Sequence, residues 1–289
     1  MDVGALRLGL HVSIEGELDQ AVDRALERGC NTMQMFTRNP RGWQFKALDP
    51  SVIECFGTKL AGSGIEPVFS HMPYLSNLAS PKEAVYSLSV KALKAELKRC
   101  IQLRIPYAVT HMGSDLGLGK VAGLKRIVVA INSALEESPG ETVVLLENTA
   151  GTKNSMGSSF EDVRRVLDAI AQSERVGVCL DTCHAFAAGY DLVTPTAIER
   201  TLGRFKDVIG LNRLKVIHLN DSVGGLGSHL DRHEHIGLGK IGEDGFRNIL
   251  RSPLRRLPLI LETPIDQRRS DVGNLQKVRE LASSTAIRM

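Results

Sequence analysis

The sequence predicts one α/β domain, spanning residues 1–289, that folds as a (β/α)8 TIM barrel with its active site at the carboxyl ends of the strands. Three observations predict this fold. Short apolar runs alternate with amphipathic stretches, there are eight such runs, and most are apolar nearly throughout, as in parallel strands covered on both faces. A doubly wound open sheet is the alternative. It is disfavoured because no G-x-G-x-x-G or G-x-x-x-x-G-K-[ST] loop follows any run, and we expect no nucleotide cofactor.

The predicted strands are short apolar runs that repeat along the chain. In chain order they are residues 6–12 (LRLGLHV), 32–36 (TMQMF), 66–71 (EPVFSH), 107–111 (YAVTH), 142–147 (TVVLLE), 176–181 (VGVCLD), 214–220 (LKVIHLN) and 257–262 (LPLILE). Runs of this kind indicate strands buried on both faces.

Amphipathic helical stretches lie between the strands. The first places Leu18, Val22 and Leu26 on one stripe and ends in a glycine suited to a helix C-cap. In the second, Pro81 is expected in the first turn. The predicted stretches are residues 17–29, 80–103, 158–173, 194–205 and 244–252.

Composition and charge restrict the class of protein. The chain is 43% hydrophobic and 24% charged, which is ordinary for a globular protein, and its net charge of +3 does not by itself imply nucleic acid. No apolar run approaches the ~18–20 residues that span a bilayer, and the first residues do not resemble a signal peptide. Five irregularly spaced cysteines do not form a disulfide pattern. We therefore expect a cytoplasmic protein without a membrane partner.

The ends of the predicted strands carry acidic and imidazole side chains. From the third strand onwards, every strand bears one at or near its carboxyl end: His71, His111, Glu147, Asp181, His218 and Glu262. In a barrel, these ends face the rim where active sites lie. One such residue alone is commonly structural, but six in succession on one rim favour a functional site.

This combination of side chains indicates a divalent metal. Crowded carboxylates raise one another's pKa, so a positive charge is needed to keep them ionised, and a metal ion is the simplest source. Mixed imidazole and carboxylate ligands favour Zn²⁺ or Mn²⁺ over Mg²⁺ or Ca²⁺. The residue types leave the choice between zinc and manganese open.

Two loops add further candidate ligands. The segment DTCH brings His184 close to Asp181, and the segment DRH carries Asp231 and His233, which point the same way if the loop is extended. Two imidazoles and one carboxylate form the kind of site that leaves positions open for substrate. Nine candidate ligands in all lead us to expect three metals.

Two cysteines and three further histidines lie in or near the same motifs but are not among the nine candidate ligands. Cys179 lies inside a predicted strand, where a thiol behaves as a small hydrophobe, and Cys183 lies between harder ligands, so thiolate ligation is not expected. For His11, orienting a ligand is favoured over binding metal. The roles of His229 and His235 stay open.

These motifs together resemble endonuclease IV, the metal-dependent apurinic/apyrimidinic (AP) endonuclease family 2 of base excision repair. The resemblance covers nearly the whole chain, through the segments GLHVS, MFTRNPRGW, HMPYLSNLASP, THMGS, LLENTAG, VGVCLDTCHAFAAGYD, HLNDS, DRHEHIGLGKIG and LILETP. Of these, LENTAG, CLDTCHAFAAGYD and DRHEHIGLGKIG are highly specific as a set.

The resemblance implies a TIM barrel with three zinc ions, with manganese possible at one or more sites. Glu147 and Glu262 are the implied catalytic residues. The implied ligand sets are His71, His111 and Glu147 for the first ion; Glu147, Asp181, His218 and Glu262 for the second; and His184, Asp231 and His233 for the third.

The implied enzyme is a zinc-dependent deoxyribonuclease IV of the phage-T4-induced type. It would hydrolyse the phosphodiester 5′ to an abasic site with a hydroxide held between two metals, leaving 3′-hydroxyl and 5′-deoxyribose phosphate ends, and would also trim blocked 3′ ends. The implied partner is double-stranded DNA containing abasic sites, bound by a monomer.

Two loops are expected to contact that DNA. Arg41 and Tyr74 match the family residues that enter the base stack. For Arg38 and Trp43, in the same loop as Arg41, DNA contact and a local role as loop charge or packing aromatic are equally open.

Sugar isomerases and epimerases of the xylose-isomerase type are the main alternative. They use the same barrel with one or two metals, so the D-x-H pair of Asp231 and His233 favours the nuclease. A DNA-binding protein without catalysis and a barrel with purely structural metals are further alternatives.

Overall fold

The computed structural model describes residues 6–44 and 46–283 and contains a closed barrel of eight parallel strands. The first strand pairs with both the second and the last, which closes the sheet. The predicted fold class is confirmed. The barrel strands are β1 (Leu8–Val12), β2 (Met33–Met35), β3 (Val68–His71), β4 (Tyr107–His111), β5 (Val143–Glu147), β6 (Val176–Asp181), β7 (Leu214–His218) and β10 (Leu259–Leu261).

Helices follow the strands around the outside of the barrel. Some begin at side-chain caps: Ser159 accepts a hydrogen bond from the Asp162 amide, and Thr194 accepts one from the Ala197 amide. The helices are α1 (Gln20–Glu27), α2 (Pro50–Ser63), α3 (Glu83–Leu103), α4 (Lys120–Glu136), α5 (Phe160–Ala169), α6 (Thr182–Ala187), α7 (Pro195–Val208), α8 (Gly242–Ile249) and α9 (Asp271–Ser283).

The helix boundaries differ from the predictions in two informative places. Pro81 lies outside α3, because the Ser80 hydroxyl accepts a hydrogen bond from the Lys82 amide and forms a turn before the helix. Helix α5 ends at Ala169 and does not reach residue 173. There the side chain of Asn132 accepts a hydrogen bond from the Ala171 amide and holds the chain in an extended exit.

A layer of apolar side chains inside the barrel lies directly beneath the rim. It consists of one buried residue from each of six neighbouring strands: Phe69, Val109, Leu145, Cys179, Val216 and Ile260. Each precedes one of the six acidic or imidazole residues by two positions, and residues two apart in a strand face the same side. The strand pleat therefore places the six acidic and imidazole residues, here called the polar ring, directly above this apolar layer, here called the apolar plug.

A small antiparallel ladder, β8 (Asp221–Ser222) with β9 (His233–Glu234), follows β7. The buried Asp221 carboxylate fixes the segment after it by accepting hydrogen bonds from the amides of Gly237, Gly239 and Ile241 at 2.9, 2.9 and 3.0 Å. This loop carries the D-x-H pair and is tied to the barrel.

Across residues 6–44 and 46–283, none of the helices combines the length and the apolar character that crossing a membrane requires. The predicted domain limits of 1–289 include residues 1–5, 45 and 284–289, which lie outside the described ranges.

Candidate metal centre

Glu147 lies at the centre of the rim and is fully buried. Its Oε2 atom is 3.1 Å from His71 Nε2 and 3.4 Å from His111 Nε2. Its Oε1 atom is 3.1 Å from His218 Nδ1 and 3.3 Å from His184 Nδ1. Burial would raise the pKa of Glu147, but electrostatic interactions with His111 and His218 and hydrogen bonds from His184 and His218 outweigh it and hold the pKa well below its ordinary value.

His71, His111 and Glu147 form one group of ligand atoms that lie within 4.8 Å of one another. The His71 ring is oriented by its Nδ1 atom, which lies 2.7 Å from the Met72 carbonyl oxygen, so Nε2 is directed at Glu147. His111 is half-buried, and burial lowers its pKa. A neutral imidazole facing a carboxylate is a metal-binding arrangement.

Glu147, Asp181, His218 and Glu262 form a second group within the same distance. His218 Nδ1 lies 3.2 Å from Glu262 Oε2 and 3.9 Å from Asp181 Oδ2. Asn220 connects the two carboxylate residues, since its amide donates to Asp181 Oδ2 at 2.7 Å and its oxygen accepts from the Glu262 backbone amide at 2.8 Å. Asn220 lies in the motif HLNDS, but no local pattern marks it as a residue of the site.

His184, Asp231 and His233 form a third group, built from a helix and the long loop. Asp181 is the N-cap of α6, and its Oδ1 accepts a hydrogen bond from the His184 amide at 2.8 Å. The three-residue spacing in DTCH is thus the spacing of a helix cap. His184 Nε2 lies 3.0 Å from Asp231 Oδ1, so the cap and the loop meet at one imidazole.

The chemistry of these groups fits divalent metals. His233 Nε2 is buried and has no hydrogen-bond partner, while its Nδ1 lies 3.0 Å from the Glu262 carbonyl oxygen. Leaving a buried polar atom unpaired is costly, and a metal ion would satisfy it. Imidazole nitrogens and carboxylate oxygens together suit Zn²⁺ or Mn²⁺.

Neighbouring carboxylates favour positive charge on two of these imidazoles. Burial opposes the charge on His184, but Asp181, Asp231 and Glu147 outweigh it and raise its pKa well above the ordinary value. Burial also opposes the charge on His218, but the carboxylates of Glu262 and Glu147 outweigh it and raise the pKa of His218 well above the ordinary value. Metal binding must therefore displace protons from these rings.

The two cysteines near the centre are thiols. Cys179 belongs to the apolar plug, and burial raises its pKa to about 12. Cys183 comes within metal-binding distance of Asp181 and His233, but burial raises its pKa to about 12 as well. Its thiol lies 3.6 Å from the Arg232 carbonyl oxygen. A thiolate at either position is disfavoured.

Three further histidines have hydrogen-bonding partners of their own. His11 Nδ1 lies 3.1 Å from Glu262 Oε1, in agreement with the expected orienting role. His229 is exposed on the long loop, with its Nδ1 atom 3.1 Å from the Ala150 carbonyl oxygen. His235 is buried, and its Nε2 atom lies 2.9 Å from Asp266 Oδ1.

The predicted DNA-contact residues differ in exposure. Arg41 is exposed, and Tyr74 is 72% exposed while its ring packs edge-on against Phe36. Arg38 is buried, and its guanidinium donates to the Gly42 carbonyl oxygen at 2.8 Å. Trp43 is half-buried against the core. Arg38 and Trp43 therefore shape the loop, and their contact with DNA stays a prediction.

An open cavity of about 340 Å³ lies beside the first and third ligand groups. Most of its walls come from the loops after β3, β4 and β5, and they are rich in hydroxyl and amide side chains. The lining includes Tyr74, Asn77, His111, Ser114, Thr149 and Asp231. Its hydroxyl and amide side chains place hydrogen-bond donors and acceptors next to the ligand groups.

Comparison with known proteins agrees with this arrangement. The family described as xylose isomerase-like TIM barrel matches residues 22–285. A "Probable endonuclease 4" of Methanoculleus marisnigri is 58% identical, and the match covers 96% of this chain and 99% of that protein.

Solved structures show the same likeness. The crystal structure of endonuclease IV from Thermus thermophilus is 36% identical, with a TM-score of 0.85, 96% of this chain covered and 99% of that one. A D-tagatose 3-epimerase-like protein, at 17% identity and a TM-score of 0.70 over 96% of this chain and 98% of that one, shares the fold alone. The chain therefore belongs to the endonuclease IV family.

Proposed function

We propose that this protein hydrolyses the phosphodiester 5′ to an abasic site in double-stranded DNA, leaving a 3′-hydroxyl and a 5′-deoxyribose phosphate. The same site would trim blocked 3′ ends. The observation that carries the proposal is the convergence of nine imidazole and carboxylate side chains into three ligand groups. Glu147 belongs to both the first and the second of these groups. Membership of the endonuclease IV family supports it.

Three zinc ions are proposed as the cofactors, with manganese able to replace one or more of them. Each ion is assigned to one group: the first to His71, His111 and Glu147; the second to Glu147, Asp181, His218 and Glu262; the third to His184, Asp231 and His233. When bound, such ions supply a water-derived nucleophile at neutral pH and neutralise negative charge on the phosphate.

Glu147 and Glu262 are proposed as the catalytic residues. One oxygen of Glu262 is held by His11 and Gln34, at 3.1 and 2.7 Å, which leaves Oε2 directed into the ligand ring. From that position the Glu262 carboxylate can bind the second ion and accept a hydrogen bond that orients the attacking water. Glu147 lies between His71 and His218 and joins the first two ligand groups, so its charge acts at the centre of the site.

Tyr74 and Arg41 are proposed to occupy the space that an extruded abasic nucleotide leaves in the duplex. The Tyr74 side chain lies beside the ligand groups, and the centroid of its aromatic ring is 6.3 Å from the centroid of the His71 ring. The exposed face of the tyrosine is available for stacking on a base. Phosphate contacts by dispersed lysines and arginines fit the modest net charge of +3, and DNA binding is expected to weaken with salt. A monomer is the proposed form.

A duplex with one tetrahydrofuran abasic analogue tests the proposal directly. The zinc-loaded protein is expected to cut it on the 5′ side only, and Glu262→Gln is expected to abolish the cut. Glu280→Gln, on the outer helix α9 with a 65% exposed side chain, is the matched control and should cut normally. An intact duplex together with aldose–ketose conversion would instead support a sugar isomerase.

A further inference from the structure

Four histidines of the ligand groups have one ring nitrogen within hydrogen-bonding distance of a group that is not one of the ligand carboxylates. For His71, His184 and His233 the holding group is a backbone carbonyl, of Met72, Asn148 and Glu262 respectively. A carbonyl only accepts hydrogen bonds, so the ring nitrogen facing it carries the proton. The other ring nitrogen of each histidine is then free to bind a metal.

His218 differs because a side chain holds it. Its Nε2 atom lies 2.9 Å from Gln34 Oε1, and Gln34 is fully buried. The Gln34 Nε2 atom lies 2.7 Å from Glu262 Oε1 and 3.0 Å from His11 Nδ1. One amide group thus contacts a histidine and a carboxylate of the same ligand group.

The neighbours of Gln34 decide which way its amide points. An ionised carboxylate only accepts hydrogen bonds, so the NH₂ group must face Glu262 and the carbonyl oxygen must face His218. The reverse orientation would set two acceptors against each other at 2.7 Å. With a carbonyl oxygen at 2.9 Å, His218 Nε2 carries a proton, so Nδ1, which faces Glu147 and Glu262, is the nitrogen that gives up its proton to a metal ion.

We propose that Gln34 is a positioning residue that selects the metal-binding nitrogen of His218 and the metal-binding oxygen of Glu262. It does so by holding His218 Nε2 and Glu262 Oε1, which leaves Nδ1 and Oε2 for the second ion. This inference rests on the proposed metal-dependent function.

The barrel gives Gln34 its reach. Strand β2 directs Met33 and Met35 to the outer core and Gln34 to the interior, where it pairs in register with His11 of β1. Around the ring, β1 and β10 separate β2 from β7. The Gln34 side chain therefore reaches His218 and Glu262 through the barrel interior, although they are separated from it by 184 and 228 positions in the sequence.

Two variants separate the two contacts of Gln34. Gln34→Met keeps the length of the side chain and removes both contacts. Gln34→Glu keeps an acceptor for His218 but removes the donor to Glu262. Thr32→Val is the control, because Thr32 is equally buried and donates to the Pro67 carbonyl oxygen without touching a ligand.

Zinc affinity is measured by competition with a chromophoric chelator, and the ring nitrogens are identified by ¹H–¹⁵N correlation spectra of the zinc-loaded proteins. We expect His218 to bind through Nδ1 and carry its proton on Nε2 in the wild type and in Gln34→Glu. Gln34→Met should bind one zinc about 10–100-fold more weakly. Thr32→Val should match the wild type.

The outcomes distinguish this inference from the proposed function. A wild type that binds no zinc would overturn both. A wild type that binds zinc while Gln34→Met binds it equally tightly would overturn the role of Gln34 alone. If Gln34→Met does not fold, the spectra decide: binding of His218 through Nε2 in the wild type, or loss of the Nε2 proton in Gln34→Glu, would overturn the role.

Discussion

Glu147 Oε1 lies 3.1 Å from His218 Nδ1, which joins the ends of β5 and β7 across the intervening strand β6. The contact brings the first and second ligand groups together at one buried carboxylate. Because Glu147 carries charge for both groups, its replacement has a larger expected effect than replacement of any peripheral ligand.

Glu147→Gln removes that shared charge without changing the size of the side chain. We expect fewer than three bound zinc ions and a cleavage rate lower by a factor on the order of 10²–10³, as when one stabilising group is lost from a preorganised site. Metal content and single-turnover cleavage are measured together. Glu136→Gln, at an exposed site on α4, should behave as the wild type. Three tightly bound ions in Glu147→Gln would contradict the assignment.

Asp231→Asn tests the third ligand group separately. Asp231 is on an exposed loop and lies 3.0 Å from His184, so its replacement should remove one ion of three and leave the fold unchanged. Cys183→Ala is the matched control, because the neutral Cys183 thiol is not expected to bind metal. Elemental analysis should give two ions for Asp231→Asn and three for Cys183→Ala. Loss of an ion from Cys183→Ala would make the cysteine a ligand.

Stability of the metal-free protein should depend on pH through His184 and His218. Their raised pKa adds stability that is fully present below the unfolded value of 6.5 and is lost as pH rises through the folded pKa. The lowered pKa values of Glu147 and Glu262 add stability that is present above 4.5, so they contribute evenly across neutral pH.

We therefore expect the free energy of unfolding in chelator to fall as the pH rises above 6.5, where the rings of the unfolded chain lose their protons. With zinc it should rise over the same range, because zinc binds deprotonated imidazoles. Urea unfolding at several pH values, with and without zinc, measures both trends. A metal-free protein that gains stability across this range would show that the two rings are not charged.

Asp221→Asn should loosen the loop that carries the D-x-H pair. The asparagine NH₂ group would face backbone amides that now donate to the carboxylate, which leaves buried donors unpaired at a cost of about 1–3 kcal/mol. Urea unfolding measures the loss, and faster amide exchange over residues 233–242 would locate it. Asp244→Asn, whose side chain is 87% exposed, should leave stability unchanged. Unchanged exchange in Asp221→Asn would mean that other contacts hold the loop.

Tyr74→Ala should weaken binding of abasic duplex by about 1–3 kcal/mol, the contribution of one base–aromatic contact. Stability should not change, because Tyr74 is 72% exposed. Fluorescence anisotropy with a labelled duplex and inactive Glu262→Gln protein as background measures the affinity. Leu211→Ala, at the opposite face before β7, is the control. Equal affinity with and without the tyrosine ring would exclude stacking.

The polar ring was predictable because it follows the strand pleat. In each of six strands, a candidate ligand lies two residues after an apolar residue of the barrel interior, as in Leu145 and Glu147. The position of Cys179 in the interior was predictable for the same reason. Local patterns of this kind need no knowledge of distant contacts.

Residues that act through long-range contacts were missed. Gln34 has no local signal, since its partners His218 and Glu262 are distant in the sequence. For Arg38 the sequence left DNA contact and a loop charge equally open, and it gave no sign that the Nε atom lies 3.9 Å from the buried Glu96 carboxylate of α3. The role of Asp221 depends on amides 16 to 20 residues later, which only the folded loop brings together.

The central claim, that nine side chains hold three metal ions, is tested most directly by elemental analysis of the purified protein after saturation with zinc and removal of excess metal. The account predicts three zinc ions per chain. Retention of no more than one ion, or the same content in Glu147→Gln as in the wild type, would contradict it.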